Sequence, residues 1–412
     1  MKKRQQNNNT KFVPVDHLDK VGEIAVYYGF APIKSPTIEK ADLDAAKGIS
    51  NDDFMDDDTD KHGKLPLGVE EKIALLRTYQ EQDWAARSQP VLLYLKDPCR
   101  GAPKKPSCHR YADLEVVGAS GPIAEATLIK TGRAMLAAEG HENTRVEINS
   151  VGDRDSLTRF SRELVAYYRK HVNEMSPESR QVLKRDPFEL LASRDEAMKE
   201  INSHAPRSMD FLSEVSRRHL EEVLEYLEAL AIPYTINNGL FGNRSYCTET
   251  IFTIGEGDAA AARDRQRIYA IGVRYNGLAK RVGVRKDVQG VGLSLLIKGS
   301  GGGLRDTLKK VKRPIASFVQ LGNESKLMSL DVIERLRVAK IPLYLSLGKD
   351  RLGAQVSSVE RYHTPYVIVM GKKEAVERTA IVRRTDTYSQ DVVPLEKLSE
   401  YMKRVERDYW KK

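Results

Sequence analysis

Apolar residues at helical spacing open the readable part of the chain. Residues 17–31 (HLDKVGEIAVYYGFA) carry them three and four apart, which predicts a helix stopping at Gly29. The next stretch, APIKSPTIE, reads as a strand interrupted at Pro36. A helical pattern returns over 68–87, and QPVLLYLKD reads as a buried strand. DPCRGAPKKPSCH is a Pro/Gly/Lys connection leading into the alternating run RYADLEVVG, so the pair predicts an antiparallel hairpin with a basic loop. Residues 123–140 predict a helix ending at Gly140, followed by the strand TRVEINSVG. Residues 155–232 are almost wholly amphipathic helix, as in SRRHLEEVLEYLEALA, and read as an inserted helical module. Strands resume at PYTINN, ETIFTIG, RIYAIGV and GVGLSLLI, after which GSGGGLRD breaks all periodicity and predicts a linker over 301–312.

Beyond the linker the rhythm changes. ASFVQLG, PLYLSLG and YVIVMG read as strands separated by helices over 325–340 and about 351–362. TAIVRRT and DVVPL are short strands, and 395–408 is a closing helix. Alternating strands and helices with short connections predict parallel pairing with right-handed crossovers, hence a separate α/β domain over 313–412. Its helix amino termini near Asn323 and Asp350 fall at the carboxyl edge of the sheet, where open α/β sheets bind ligands.

Composition supports a folded chain of two or three domains: 412 residues, 41% hydrophobic and 30% charged. No apolar run reaches the length of a membrane span. MKKRQQNNNT runs into KFVPVDHL without an apolar core, which predicts a disordered arm over 1–14 and no secretory signal. Cys99, Cys108 and Cys247 are odd in number and lack C-x-x-C spacing, so free thiols in a reducing, cytoplasmic setting and no metal site are expected. The acidic segment 51–64 lacks the spacing of a calcium loop and reads as a solvated loop. Charge adds the sharpest contrast. From Lys298 onward there are 24 basic and 14 acidic residues, a local charge of +10, which leaves the rest of the chain at −1 although the whole carries +9. A positive surface concentrated on one segment favours phosphate contacts and points to nucleic acid.

Several motifs in a fixed order then carry a resemblance. YYGFAPIKSPTIE resembles a first class-defining motif, and LEVVG, GPIAEATLI and VEINSVGD resemble the second-motif strand with the helix and strand after it. GVRYNGL resembles GGRYDGL, and Ile315 to Leu398, with PYVIVMGKKE and VVPLEKL, resembles an anticodon-binding domain. From about Val15 to Lys403 the chain thus resembles the histidyl-tRNA synthetase family of class II. The resemblance implies an α+β class II synthetase core over 15–300, with a six-stranded antiparallel sheet and a helical insertion at about 155–232. It further implies a C-terminal α/β anticodon-binding-like domain, a homodimer with Pro36 at the dimer-forming bend, tRNA and free histidine as partners, and ATP with Mg2+ for the ligase reaction.

It also implies roles for residues. Arg100 aligns with the arginine that clamps the α-phosphate, while Ala102 replaces the glutamate that accepts from adenine; Lys104 and Lys105 remain as loop cations. In LPLGVEEK, Gly68 stands for the family's arginine, Glu70 for its glutamate and Lys72 for its threonine. Strand alternation puts Tyr111, Asp113 and Glu115 on one face, with Glu115 matching a carboxylate for the substrate amine or imidazole. In LFGNRSYC, Gly242 takes the place of an arginine, Tyr246 matches a substrate-binding tyrosine and Cys247 replaces a second one. Arg274 and Tyr275 are kept in GVRYNGL. In GVGLSLLIK, Leu296 and Ile297 replace the third motif's Glu and Arg, leaving Arg244 and Lys298 as possible compensating cations. The reading expected from this pattern is a catalytically impaired paralogue acting as a dimeric tRNA-binding or histidine-sensing module. A divergent active ligase, a regulator resembling the synthetase-like subunit of ATP phosphoribosyltransferase and a nucleic-acid-binding accessory subunit stay open beside it.

Overall fold

The computed structural model describes residues 18–49, 68–87, 89–96, 109–193, 195–256, 267–284, 288–298, 313–345 and 363–410, with Gly353, Gln355 and Val359 between the last two stretches. The expected arm, the acidic segment, the loop holding Arg100, Lys104 and Lys105, the 301–312 linker and most of the expected helix at 351–362 lie outside the described residues.

The amino-terminal strands form one eight-stranded sheet. They are β1 (Ala31–Ile33), β2 (Val91–Lys96), β3 (His109–Val117), β4 (Thr144–Gly152), β5 (Tyr234–Ile236), β6 (Thr248–Glu256), β7 (Ile268–Arg274) and β8 (Gly290–Lys298), in the order β1-β2-β3-β8-β7-β6-β4-β5. The six strands from β2 to β4 pair antiparallel, and the three-residue strands β1 and β5 add parallel edges. The six-stranded antiparallel sheet implied by the resemblance is therefore present, with two short additions.

Helices cover the sheet: α1 (Lys20–Tyr27), α2 (Lys40–Lys47), α3 (Val69–Glu81), α4 (Ile123–Ala138), α5 (Arg154–Lys170), α6 (Pro177–Arg185), α7 (Glu196–Ser203), α8 (Glu214–Ala229) and α9 (Leu278–Arg281). Asp19 starts α1 by accepting from the Gly22 amide at 2.7 Å, and Gly29, at φ +91°, ends it in a conformation costly for a side chain. α4 lies close on the sheet because Gly132 has no side chain; a Cβ there would stand 2.6 Å from Leu293. α5, α6 and α7 gather around their own core of Phe160, Leu164, Tyr168, Phe188 and Met198. α8 behaves differently. Its Leu220, Val223, Tyr226 and Leu227 join the main core with Ile148 and Ile254. The helical insertion read from sequence thus splits into a satellite and a helix that belongs to the sheet.

The second sheet is smaller, with β9 (Ala316–Gln320), β10 (Leu343–Leu345), β11 (Tyr366–Met370), β12 (Thr379–Arg384) and β13 (Gln390–Pro394) in the order β10-β9-β11-β12-β13. The first three pair parallel, as the strand–helix rhythm predicts, and the last two antiparallel. α10 (Asn323–Val338) and the closing helix Leu395–Trp410 pack on it, burying Ile333, Leu336, Leu398 and Met402 with Phe318 and Ile368. α10 also meets α4 and α8 of the first unit. At that seam Tyr28 donates to Glu334 at 2.5 Å, and Arg337 holds both Glu334 oxygens at 2.7 and 2.8 Å. Among the described residues no helix is long and apolar enough to cross a membrane.

Candidate functional site

β3 sets the candidate site. Its pleat turns Asp113 and Glu115 into the interior, both wholly buried, with Tyr111 half-buried on the same face. Opposite Glu115 on β8 stands Gly292, where a Cβ would lie 2.2 Å from a carboxylate oxygen. Glycine there makes room for the carboxylate. One Glu115 oxygen accepts from Lys72 Nζ at 2.9 Å and the other from the Tyr275 hydroxyl at 2.6 Å. Lys72 Nζ also stands 4.4 Å from the centre of the Tyr275 ring. Burial, reinforced by the Glu115 charge, pushes the Tyr275 phenol well above its ordinary range, so it is a fixed donor.

Glu70 lies half-buried in the first turn of α3, where the helix dipole favours a carboxylate. Tyr246 is half-buried beside the same region, and its phenol is raised mainly by burial, with Cys247, Glu115 and Glu70 adding to the rise. Cys247 is fully buried, and that burial pushes its thiol up to about 12. A Cβ on Gly242 would meet Cys247 Sγ at 2.7 Å. The two departures at this motif, Gly242 and Cys247, therefore pack on each other and stand together.

Arg274 follows the opposite face of the sheet. Its guanidinium donates to Glu125 through Nε and Nη2, each at 2.6 Å, to the Ala119 carbonyl at 3.0 Å and to the Gly121 carbonyl at 3.3 Å. Glu125 also accepts from Thr250 at 2.6 Å and lies 2.9 Å from His219 Nε2. Burial alone would raise the Glu125 carboxyl, but Arg274 and His219 overcome it and hold it well below the usual range. Arg244 points into the helical satellite, donating to Asp186 at 2.6 Å with its guanidinium 4.6 Å from the Phe188 ring centre. Lys298 is the last residue of β8, paired with His109. Leu296 faces Leu240, Cys247 and Ile271, while Ile297 enters the main core. The structure thus brings Glu115, Tyr275 and Lys72 together with Tyr246 nearby, and it places Arg274 and Arg244 elsewhere. Arg100 lies outside the described residues.

Sequence reasoning took Lys72 only as a replacement for threonine and passed over Glu125 and His219. A signal for Lys72 was there: a lysine in the first turn of a helix opposes the dipole and calls for a carboxylate partner.

The second unit offers a different surface. Arg383 lies 5.0 Å from the exposed Tyr388 ring, Arg384 6.0 Å from the Tyr366 ring, and Arg404 5.2 Å from the Tyr401 ring. Arg383 and Arg404 thus set guanidinium groups against tyrosine rings on a basic domain, whereas Arg384 is also held by Asp386 at 2.9 and 2.6 Å.

Comparison with known proteins follows this division. Residues 316–405 match the anticodon binding domain family. The histidine–tRNA ligase of Wolbachia pipientis subsp. Culex pipiens is 27% identical over 402 residues, covering 93% of this chain and 94% of the relative. That of Geobacillus kaustophilus is 26% identical over 415 residues, covering 96% and 95%. The crystal structure of apo histidyl-tRNA synthetase from S. aureus superposes with a TM-score of 0.50 at 24% identity, covering 93% of this chain and 94% of that one. With a class II-like antiparallel core and an anticodon-binding domain in the same order, the chain is similar over nearly its whole length to proteins named histidine–tRNA ligase.

Proposed function

We propose that this protein binds tRNA through its carboxyl-terminal domain, works as a homodimer and does not activate histidine. One observation carries the reading: in the described core, three charged groups expected at substrate are paired within the chain. Glu115 is held by Lys72, Arg274 by Glu125 and Arg244 by Asp186. Adenylation joins a carboxylate to the α-phosphate of ATP and needs cations where charge develops. The described residues do not fit a triphosphate, since both arginines are committed to carboxylates and β8 presents the buried Leu296 and Ile297. Losing one such donor costs about 3–4 kcal/mol of transition-state stabilisation. Histidine sensing would require Lys72 to leave Glu115.

The binding end supports the opposite expectation, with a +10 segment and its arginine–aromatic surface. Near full-length similarity to proteins named histidine–tRNA ligase favours a second reading, a divergent active ligase. The anticodon-binding domain weighs against a regulator built from the catalytic core alone. Binding of labelled tRNA to the full chain, titrated with salt, tests the first reading. It expects affinity that falls linearly in logarithm with salt concentration, because phosphate contacts release counterions. No measurable binding at low salt would refute it.

A further inference from the structure

Lys72 occupies the first turn of α3, next to Glu70 and Glu71, at the end of the helix where the dipole disfavours a cation. It is nevertheless almost wholly buried, 3% exposed, against a carboxylate that is 1% exposed. Removing an ammonium from water costs several kcal/mol unless its surroundings replace the lost contacts. Here they do: a carboxylate oxygen stands at 2.9 Å and the face of a phenol ring at 4.4 Å. A carboxylate beside an aromatic face is the chemistry by which proteins hold ammonium ligands. The receptor is also fixed without Lys72. Tyr275 orients Glu115 through its second oxygen. Gly292 leaves space for that carboxylate, and Gly290 leaves space for the Tyr275 ring, which a Cβ would meet at 2.3 Å.

We propose that Lys72 is the internal occupant of an ammonium site, its Nζ holding the place of a primary amine ligand. The intact chain accordingly takes up no free amine at Glu115. Without the lysine side chain, the same carboxylate and ring accept one from solution. This goes beyond the RNA reading and does not depend on it, since a chain that bound no RNA would still carry the site.

Thermal unfolding of the full chain with added amines tests the idea. The wild type is expected to show no change in melting temperature with n-propylammonium or histidine beyond that of a salt control. Lys72→Ala melts lower by several degrees and recovers saturably with n-propylammonium, not with n-propanol. Lys72→Ala combined with Glu115→Gln shows no such recovery. If Lys72→Ala does not accumulate as folded protein, its refolding yield is read the same way, rising with n-propylammonium and not with n-propanol. Absence of an amine-specific response in Lys72→Ala overturns the proposal, because a simple space-filling pair leaves a hole that closes or floods. A histidine response in the wild type that Glu115→Gln abolishes overturns it as well.

Discussion

Arg274 shows how a residue can match a motif and serve a different end. It was legible as the arginine of GVRYNGL, but its burial against Glu125 was not, because the partner lies 149 positions away in sequence. Removing one member of a buried ion pair leaves the other charge uncompensated and costs about 3–5 kcal/mol. Arg274→Met is expected to lose stability on that scale in chemical denaturation, well above the effect of an exposed substitution. The pH dependence follows from Glu125. Its folded carboxyl lies below the ordinary 4.5, so its contribution is complete above that pH and fades as pH falls towards the folded value. In Arg274→Met the main opposing charge is gone and burial pulls the carboxyl upward. The stability deficit of Arg274→Met relative to the wild type should then be widest near pH 7 and narrow as pH falls and Glu125 takes up its proton, as a melting-temperature series from pH 7 to pH 3 would reveal. Equal profiles for the two proteins would contradict this assignment.

At the scale of elements, periodicity located most strands and helices but could not say which of them pack together. α8 carries the same amphipathic signature as α5, and only the fold separates them, one against the sheet and one against the satellite core. The parallel start of the second sheet was readable from its strand–helix rhythm. Its contact with the first unit was not, because Tyr28 and Glu334 are each unremarkable in their own segments. That contact gives α10 a fixed seat. Burial and the Glu334 charge raise the Tyr28 phenol, so it remains a donor, while Arg337 and Tyr28 outweigh burial and keep Glu334 ionised below the usual carboxylate range. Tyr28→Phe removes one hydrogen bond to a charged acceptor and should cost about 1–2 kcal/mol, since Arg337 still satisfies Glu334. Denaturant unfolding followed by circular dichroism checks the loss. No loss would mean that the seam rests on apolar packing alone.

For the whole molecule, charge and motif order made the two-part architecture legible in the sequence. The state of the amino-acid site was not legible, because alignment tells which residue replaces another and not what the newcomer reaches. Lys72 is the case in point: a substitution for threonine on paper, an ammonium seated on Glu115 in the fold. The proposed function is therefore RNA binding through the carboxyl-terminal domain, beside a core whose charged groups Glu115, Arg274 and Arg244 are paired within the chain. Histidine-dependent ATP–pyrophosphate exchange by the purified full-length chain tests it most directly. The account predicts no exchange above the protein-free background, with or without tRNA. Robust exchange that disappears in Arg100→Ala would contradict it.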